Sequence, residues 1–195
     1  MKQDTRHKII EAGARIMHHK GYHHTGIQEV LNTAGVPKGS FYFYFKNKED
    51  FGLQIIDFFN NMYLGMIDPI LKQTDLDPLE QIEKILDYYI SLFRELDYQC
   101  GCPIGNLSQE MGDLSPAFGK KLTESVELIA GVYRDLLNKA GNAGLVSGDL
   151  DTASMAEFIV TSWQGALIKM KINRSVAPLE LHKRFILQFI TAAAR

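Results

Sequence analysis

The residues of this chain whose types could do chemistry fall in three places. Cys100 and Cys102 flank one glycine in YQCGCPIGNLSQEMG. His18, His19, His23 and His24 crowd HHKGYHH. Phe41, Tyr42, Phe43, Tyr44 and Phe45 run consecutively in GVPKGSFYFYFKNKED, between Lys38 and the pair Lys46 and Lys48. A thiolate is a nucleophile, imidazoles hold metals, and lysines and phenols donate to phosphate oxygens. There is no Ser/His/Asp order, no phosphate-cradling glycine loop and no carboxylate pair placed for acid–base work, so the chain reads as no enzyme. The histidines straddle a loop with no cysteine nearby and an acid only at Glu11, so no metal site and no cofactor are expected.

The charge is distributed unevenly. The 195 residues carry a formal net charge of −2, yet residues 1–50 hold eight Lys/Arg against five Asp/Glu, a net of +3, and residues 51–195 hold thirteen against eighteen, a net of −5. A basic head on an acidic body points to a polyanionic partner for the head. A hydrophobic content of 46% is enough for a proper core. No apolar run is long enough to span a membrane, and MKQDTRHKIIEAG lacks the apolar core of a signal peptide, so a cytoplasmic protein is expected. A Cys100–Cys102 ring would be strained, and the two thiols are expected to stay reduced.

The elements that must position these residues read as helices throughout, about nine of them, with no convincing strand. Thr5 is a possible N-cap for a first helix carrying Ile9, Ile10, Gly13, Ile16 and Met17, which Gly21 ends. Thr25 can cap a second, short helix that stops at Ala34-Gly35. Pro37 starts a third, and Asn47 caps a fourth, with Asp50 able to complete a capping box. The fourth is expected to end near Asp68-Pro69. Later helices are expected over 78–96, from Pro103, from Ser115-Pro116 to Ala140, from Asp151 to Asn173, and from Pro178 to Ala194.

A first helix packed across a short helix, a glycine-containing turn and another short helix is the helix-turn-helix pattern. The segment TGIQEVLNTAGVPKGSFYFYFKNKEDF resembles the DNA-binding domain of the TetR/AcrR family of bacterial transcriptional regulators. The resemblance rests on Thr25, the AGV turn, Lys38-Gly39-Ser40, the Tyr42 and Phe45 pair, and Lys48 at the next helix start. Gly26 departs from the pattern, since the family usually has a second threonine there, and that leaves one hydroxyl contact to phosphate in question. The resemblance implies an all-α fold: a three-helix DNA-binding head over residues 1–48 and a helical-bundle regulatory body over 49–195, the boundary lying in the fourth helix. It also implies a homodimer, a palindromic double-stranded DNA operator and a small-molecule effector.

On a helix Phe41 and Phe45 share a face, and both are assigned to the head core with Ile9, Ile16, Val30 and Phe51. Tyr42 and Tyr44 then offer hydroxyls to phosphates. Phe43 is left outside, where a thymine methyl is a fitting apolar partner. Thr25, Lys38, Gly39, Ser40 and Lys48 complete the expected DNA-contacting set, Lys48 as a phosphate clamp.

In the body, Ile159, Gly165 and Ala166 in one helix and Leu181, Phe185 and Phe189 in the next are expected at a dimer interface, because both helices are apolar over more than one face. Ordinary monomer core is the alternative. Met62, Met66, Tyr89, Phe93, Phe118 and Trp163 could line an effector pocket or equally make a core. Cys102 precedes Pro103, where a thiolate faces the positive end of a helix dipole. It is open to three readings: a redox or electrophile sensor, a structural residue, or a pocket lining together with Asn106. The function expected is a dimeric, sequence-specific repressor released from its operator by a small molecule or an electrophile. The alternatives are a redox sensor acting through Cys102 and a non-specific architectural DNA binder.

Overall fold

A computed structural model describes residues 2–192 and shows nine α-helices and no strand among them. They are α1 (Lys2–Lys20), α2 (Ile27–Ala34), α3 (Phe41–Tyr44), α4 (Lys48–Leu71), α5 (Pro78–Glu95), α6 (Pro103–Met111), α7 (Pro116–Asn142), α8 (Thr152–Asn173) and α9 (Ala177–Ala192). A single 3₁₀ turn, Lys38–Ser40, leads into α3. The expected end of the last helix at Ala194 lies outside the described residues.

Several boundaries follow from local chemistry. Gly21 (φ +81°) and Gly35 (φ +66°) take the left-handed conformation that closes α1 and α2. Asp77 and Glu80 form a reciprocal capping box at α5, with Leu79 and Glu80 N–H donating to the Asp77 carboxylate at 2.8 and 2.9 Å and Asp77 N–H donating to Glu80 at 2.8 Å.

Other boundaries differ from the expectation. Helix α1 begins at Lys2, ahead of Thr5. Gly26, not Thr25, occupies the N-cap of α2 and supplies no side-chain bond. The Asn47 side chain accepts from Asp50 N–H at 2.8 Å, but Asp50 reaches one residue further back and takes Lys46 N–H at 2.9 Å. Helix α4 runs through Pro69 to Leu71. A proline so near the helix end frees only the carbonyl four residues earlier, on the exposed Gly65. The carbonyls that follow are taken by Gln81, whose buried amide donates to Gln73 at 3.0 Å, Leu71 at 3.3 Å and Ile70 at 3.4 Å.

The chain forms two compact units. One holds the chain up to Tyr63 together with Pro103–Ser125, and the other holds Leu64–Cys102 together with the chain from Val126 on. The first unit is therefore larger than a three-helix head, since α6 and the start of α7 pack into it. Its core contains Ile9, Val30, Phe41, Phe45, Phe51, Ile55 and Phe118, all buried. Each such side chain is worth about 1.5–3 kcal/mol against leaving it in water. Helices α1 and α4 touch at Gly13, where a Cβ would come 2.2 Å from the Phe51 ring, so any larger residue would push the two apart. In the second unit Ile90, Phe93, Leu167, Met170, Val176 and Leu179 make a separate core between α5, α8 and α9. Lys183 ties α9 to α5 through Asp87 at 2.7 Å and Glu83 at 3.2 Å.

Candidate nucleic-acid interface

The five aromatics of the opening run are sorted by a very short helix. Phe41 and Phe45 are buried, with ring centroids 5.1 Å apart, and each meets Phe51 of α4, at 5.3 and 4.8 Å. Phe45 leaves helical geometry (φ −132°, ψ 131°) yet keeps its ring inside. Tyr42 and Phe43 are 70% and 65% exposed, far more than a soluble surface asks of two adjacent large rings. Tyr44 is half-buried and its ring meets Phe43 edge-on at 4.8 Å. Lys38, Gly39 and Lys46 are exposed around them and Ser40 is half-buried. A Cβ at Gly39 would meet nothing within 4 Å, so the backbone is bare there. Lys46 was missing from the expected contact set. Its exposure beside Tyr44 suits it to a phosphate, and its place between two other lysines was the available signal.

Two residues of the expected set bond to backbone carbonyls of the protein, Thr25 buried and Lys48 half-buried. Thr25 is 2% exposed, and its hydroxyl donates to the Gly21 carbonyl at 2.6 Å, so it closes the α1–α2 turn. Lys48 donates to the His23 carbonyl at 3.1 Å and lies 4.6 Å above the Tyr22 ring. Burial lowers its ammonium pKa, while the Glu110 carboxylate pulls the other way. The same turn receives Glu110 from α6, which accepts from Tyr22 N–H at 2.7 Å and His23 N–H at 2.8 Å. Burial, with the nearby Glu49 and Glu110 charges, raises the Tyr22 phenol above its ordinary value.

The expected pocket residues are divided between the units. Tyr89, Cys102, Trp163 and Ala166 pack against the second unit's core, which contains Phe93. Burial first, and the neighbouring Tyr133, Tyr88 and Cys102 after it, raise the Tyr89 phenol strongly. Met66 is half-buried in the same unit. Phe118 is placed elsewhere: it fills the first unit's core, edge-on to Tyr22 at 4.9 Å. Met62 lines an open cleft of about 590 Å³ between α1, α2 and α4, with Lys8, Arg15, His18 and Phe58. Asn106 is half-buried in α6. Neither Cys100 nor Cys102 is in a disulfide. Burial pushes the Cys100 thiol up and Lys171 pulls it down. Around them Asp97, Tyr98, Cys100 and Gly101 all hold positive φ, a run of backbone strain for the three that are not glycine.

The last two helices show an outward apolar face. Leu181, Phe185 and Phe189 on α9 are exposed, together with Phe158, Ile168 and Ile172 on α8, which sequence reading had passed over. Phe189 joins Phe185, stacked at 6.1 Å, and Phe158 across the helix pair at 6.2 Å. Gly165 is exposed on α8, whereas Ile159 is fully buried and belongs to the monomer core, since its side chain points away from that face. His182 is buried beneath the face, edge-on to Trp163 at 5.2 Å. The Ser162 hydroxyl donates to the Phe158 carbonyl, which makes His182 Nε2–H the donor to Ser162 Oγ at 2.9 Å and to the Ile159 carbonyl at 3.2 Å. Burial depresses its imidazole below the ordinary value of 6.5.

Known proteins share this fold. A family model described as "Tetracyclin repressor-like, C-terminal domain" matches residues 78–186, and one described as "Bacterial regulatory proteins, tetR family" matches residues 9–55. The transcriptional regulator AcuR of Cereibacter sphaeroides is 33% identical over 184 residues, covering 94% of this chain and 84% of that protein. The HTH-type transcriptional repressor DhaR of a Mycobacterium species is 31% identical over 175 residues, covering 90% and 86%. A crystal structure of a regulatory protein TetR from Rhodobacter sphaeroides matches with a TM-score of 0.86 at 32% identity, covering 93% of this chain and 96% of that one. The reduced form of Escherichia coli NemR matches with a TM-score of 0.82 at 26% identity, covering 94% and 95%. The chain belongs to the TetR family of bacterial transcriptional regulators, and its N-terminal segment is that family's DNA-binding domain.

Proposed function

We propose that the protein is a dimeric repressor that binds a palindromic operator in the cytoplasm and is released from it by a small molecule. The observation that carries the DNA half is the division of the aromatic run. Buried Phe41 and Phe45 hold the short helix, and Lys38, Tyr42 and Phe43 are left facing outward. One such helix reads only a few base pairs, and a two-fold dimer doubles the readout. The exposed rings of Phe158, Phe185 and Phe189 supply a self-complementary apolar face for that dimer. The apolar and phenolic set of Tyr89, Phe93 and Trp163 in the second unit is the effector side. DNA and effector are then linked through two states of the chain that bind them unequally.

The test is selection of bound duplexes from random DNA with the purified protein, followed by anisotropy titrations. Tyr42→Phe should weaken binding to every duplex alike, by about threefold for one hydrogen bond. Phe43→Ala should change which duplexes are preferred, and a protein with no preference at all would be an architectural binder instead.

A second reading makes Cys102 the sensor, so that the effector is an electrophile or oxidant. The strained segment around Cys100 and the resemblance to NemR, a structure of which is described as its reduced form, favour it. If Cys102→Ser releases DNA as readily as the parent chain when treated with quinone or hypochlorite, this reading is wrong.

A further inference from the structure

The turn between α1 and α2 is gripped from two sides. On one, the two oxygens of Glu110 take the N–H groups of Tyr22 and His23 at 2.7 and 2.8 Å, an attachment across 88 and 87 residues of sequence. A carboxylate receiving two adjacent amides makes charge-assisted bonds, stronger than neutral ones. Gly21 makes room for it: φ is +81°, and a Cβ there would stand 2.6 Å from the Glu110 carboxylate. On the other side Lys48 takes the His23 carbonyl at 3.1 Å and Thr25 takes the Gly21 carbonyl at 2.6 Å. Tyr22, between them, lies under the Lys48 ammonium and edge-on to Phe118. A second polar tie runs parallel, from Ser115, whose hydroxyl donates to Glu49 in the first turn of α4 at 2.7 Å.

None of these groups lies among the exposed residues around Phe43, yet they converge on the start of α4. That is where Phe51 holds Phe41 and Phe45, and with them the recognition helix. We infer that Glu110 is a positioning residue for DNA reading: its carboxylate fixes the α1–α2 turn, and through Tyr22 and Lys48 the recognition helix, to α6. This inference rests on the proposal that the protein reads a specific operator. A recognition helix held in place before binding loses less freedom on contact. Phosphate attraction, which dominates binding to arbitrary DNA, tolerates a loosely held head, whereas the match of side chains to base edges does not.

The experiment compares Glu110→Ala and Glu110→Gln with the parent chain on a duplex selected by the parent and on a random duplex of equal length. Glu110→Ala should bind the selected duplex about tenfold to a hundredfold more weakly and the random duplex within about twofold, and should tolerate altered half-site spacings that the parent rejects. Glu110→Gln keeps one acceptor oxygen and should fall between the two. Helical circular dichroism reports folding, and if the alanine variant does not fold, the glutamine variant decides. Retention of selected-duplex affinity within about twofold overturns the inference, and so does an equal loss on both duplexes. Should the parent select no sequence, the proposed function fails and takes this inference with it; selection by the parent with an unaffected variant sinks the inference alone.

Discussion

Phe41, Phe45 and Phe51 form one cluster of rings, and Phe158, Phe185 and Phe189 form another. The residue type is the same and the ring separations are similar, 4.8–5.3 Å in the first and 6.1–6.2 Å in the second. The first three are at most 1% exposed and the second three are 46–48% exposed. The rings of the first cluster meet one another within ten residues of chain, and α1 of the same chain closes over them, with Gly13 against the Phe51 ring. The second lies across two helices whose inner faces are already committed to Ile159, Leu179 and Ile186, so among the described residues nothing covers it fully. Phenylalanine clusters thus mark stability in one region and, in the other, the face that the proposed dimer would cover.

Substitution should separate the two clusters. Phe41→Ala should cost about 3–5 kcal/mol of the first unit's stability and abolish DNA binding, seen as a lower melting temperature and lost amide protection in α1 and α2. Phe189→Asp should leave the melting of the isolated chain near that of the parent but weaken the proposed dimer by about 2 kcal/mol or more, read by light scattering across dilution. A Phe189→Asp chain that is still dimeric at submicromolar concentration would remove the second cluster from the interface.

A smaller effect distinguishes outward from inward cations. Lys38→Ala should lower the slope of log affinity against log salt by about one, the loss of one phosphate or base contact. Lys48→Met should leave that slope unchanged and lower stability by about 1 kcal/mol through the freed His23 carbonyl. The smallest effect lies under the second cluster. The folded-state pKa of His182 is below its ordinary value of 6.5, so under that pH the unfolded chain takes up a proton that the folded chain refuses. The stabilisation from its neutral form is present above pH 6.5 and is lost as the pH falls through the folded value. His182→Gln should flatten the decline of melting temperature between neutral pH and about pH 5.

The parts of the site that sequence reading reached are those settled within a few residues. Helical spacing over Phe41–Phe45 separates two buried rings from Tyr42 and Phe43, and the structure keeps that division. The glycine stop at Gly21, the end of α2 at Gly35 and the opening of a helix at Asp151, whose side chain takes Ser154 N–H at 3.1 Å, were legible for the same reason. Thr25 and Lys48 were not. Both are polar residues beside a DNA-reading segment, and only the turn they close reveals that each donates to a backbone carbonyl of the same chain.

The sequence by itself determined the all-helical class, the charge asymmetry, the family and the facing of the recognition helix. The family rests on the resemblance of the segment from Thr25 to Lys48 to a known DNA-binding domain; the rest depend on composition, period and turn chemistry, which act over one or two helical turns. Only the tertiary structure decided that Ile159 is core while Phe158 is surface, that Phe118 belongs with Tyr22, and that Glu110 reaches back 88 residues to Tyr22 N–H. A side chain's surroundings are set by whichever distant element packs beside it, and no local pattern encodes that neighbour.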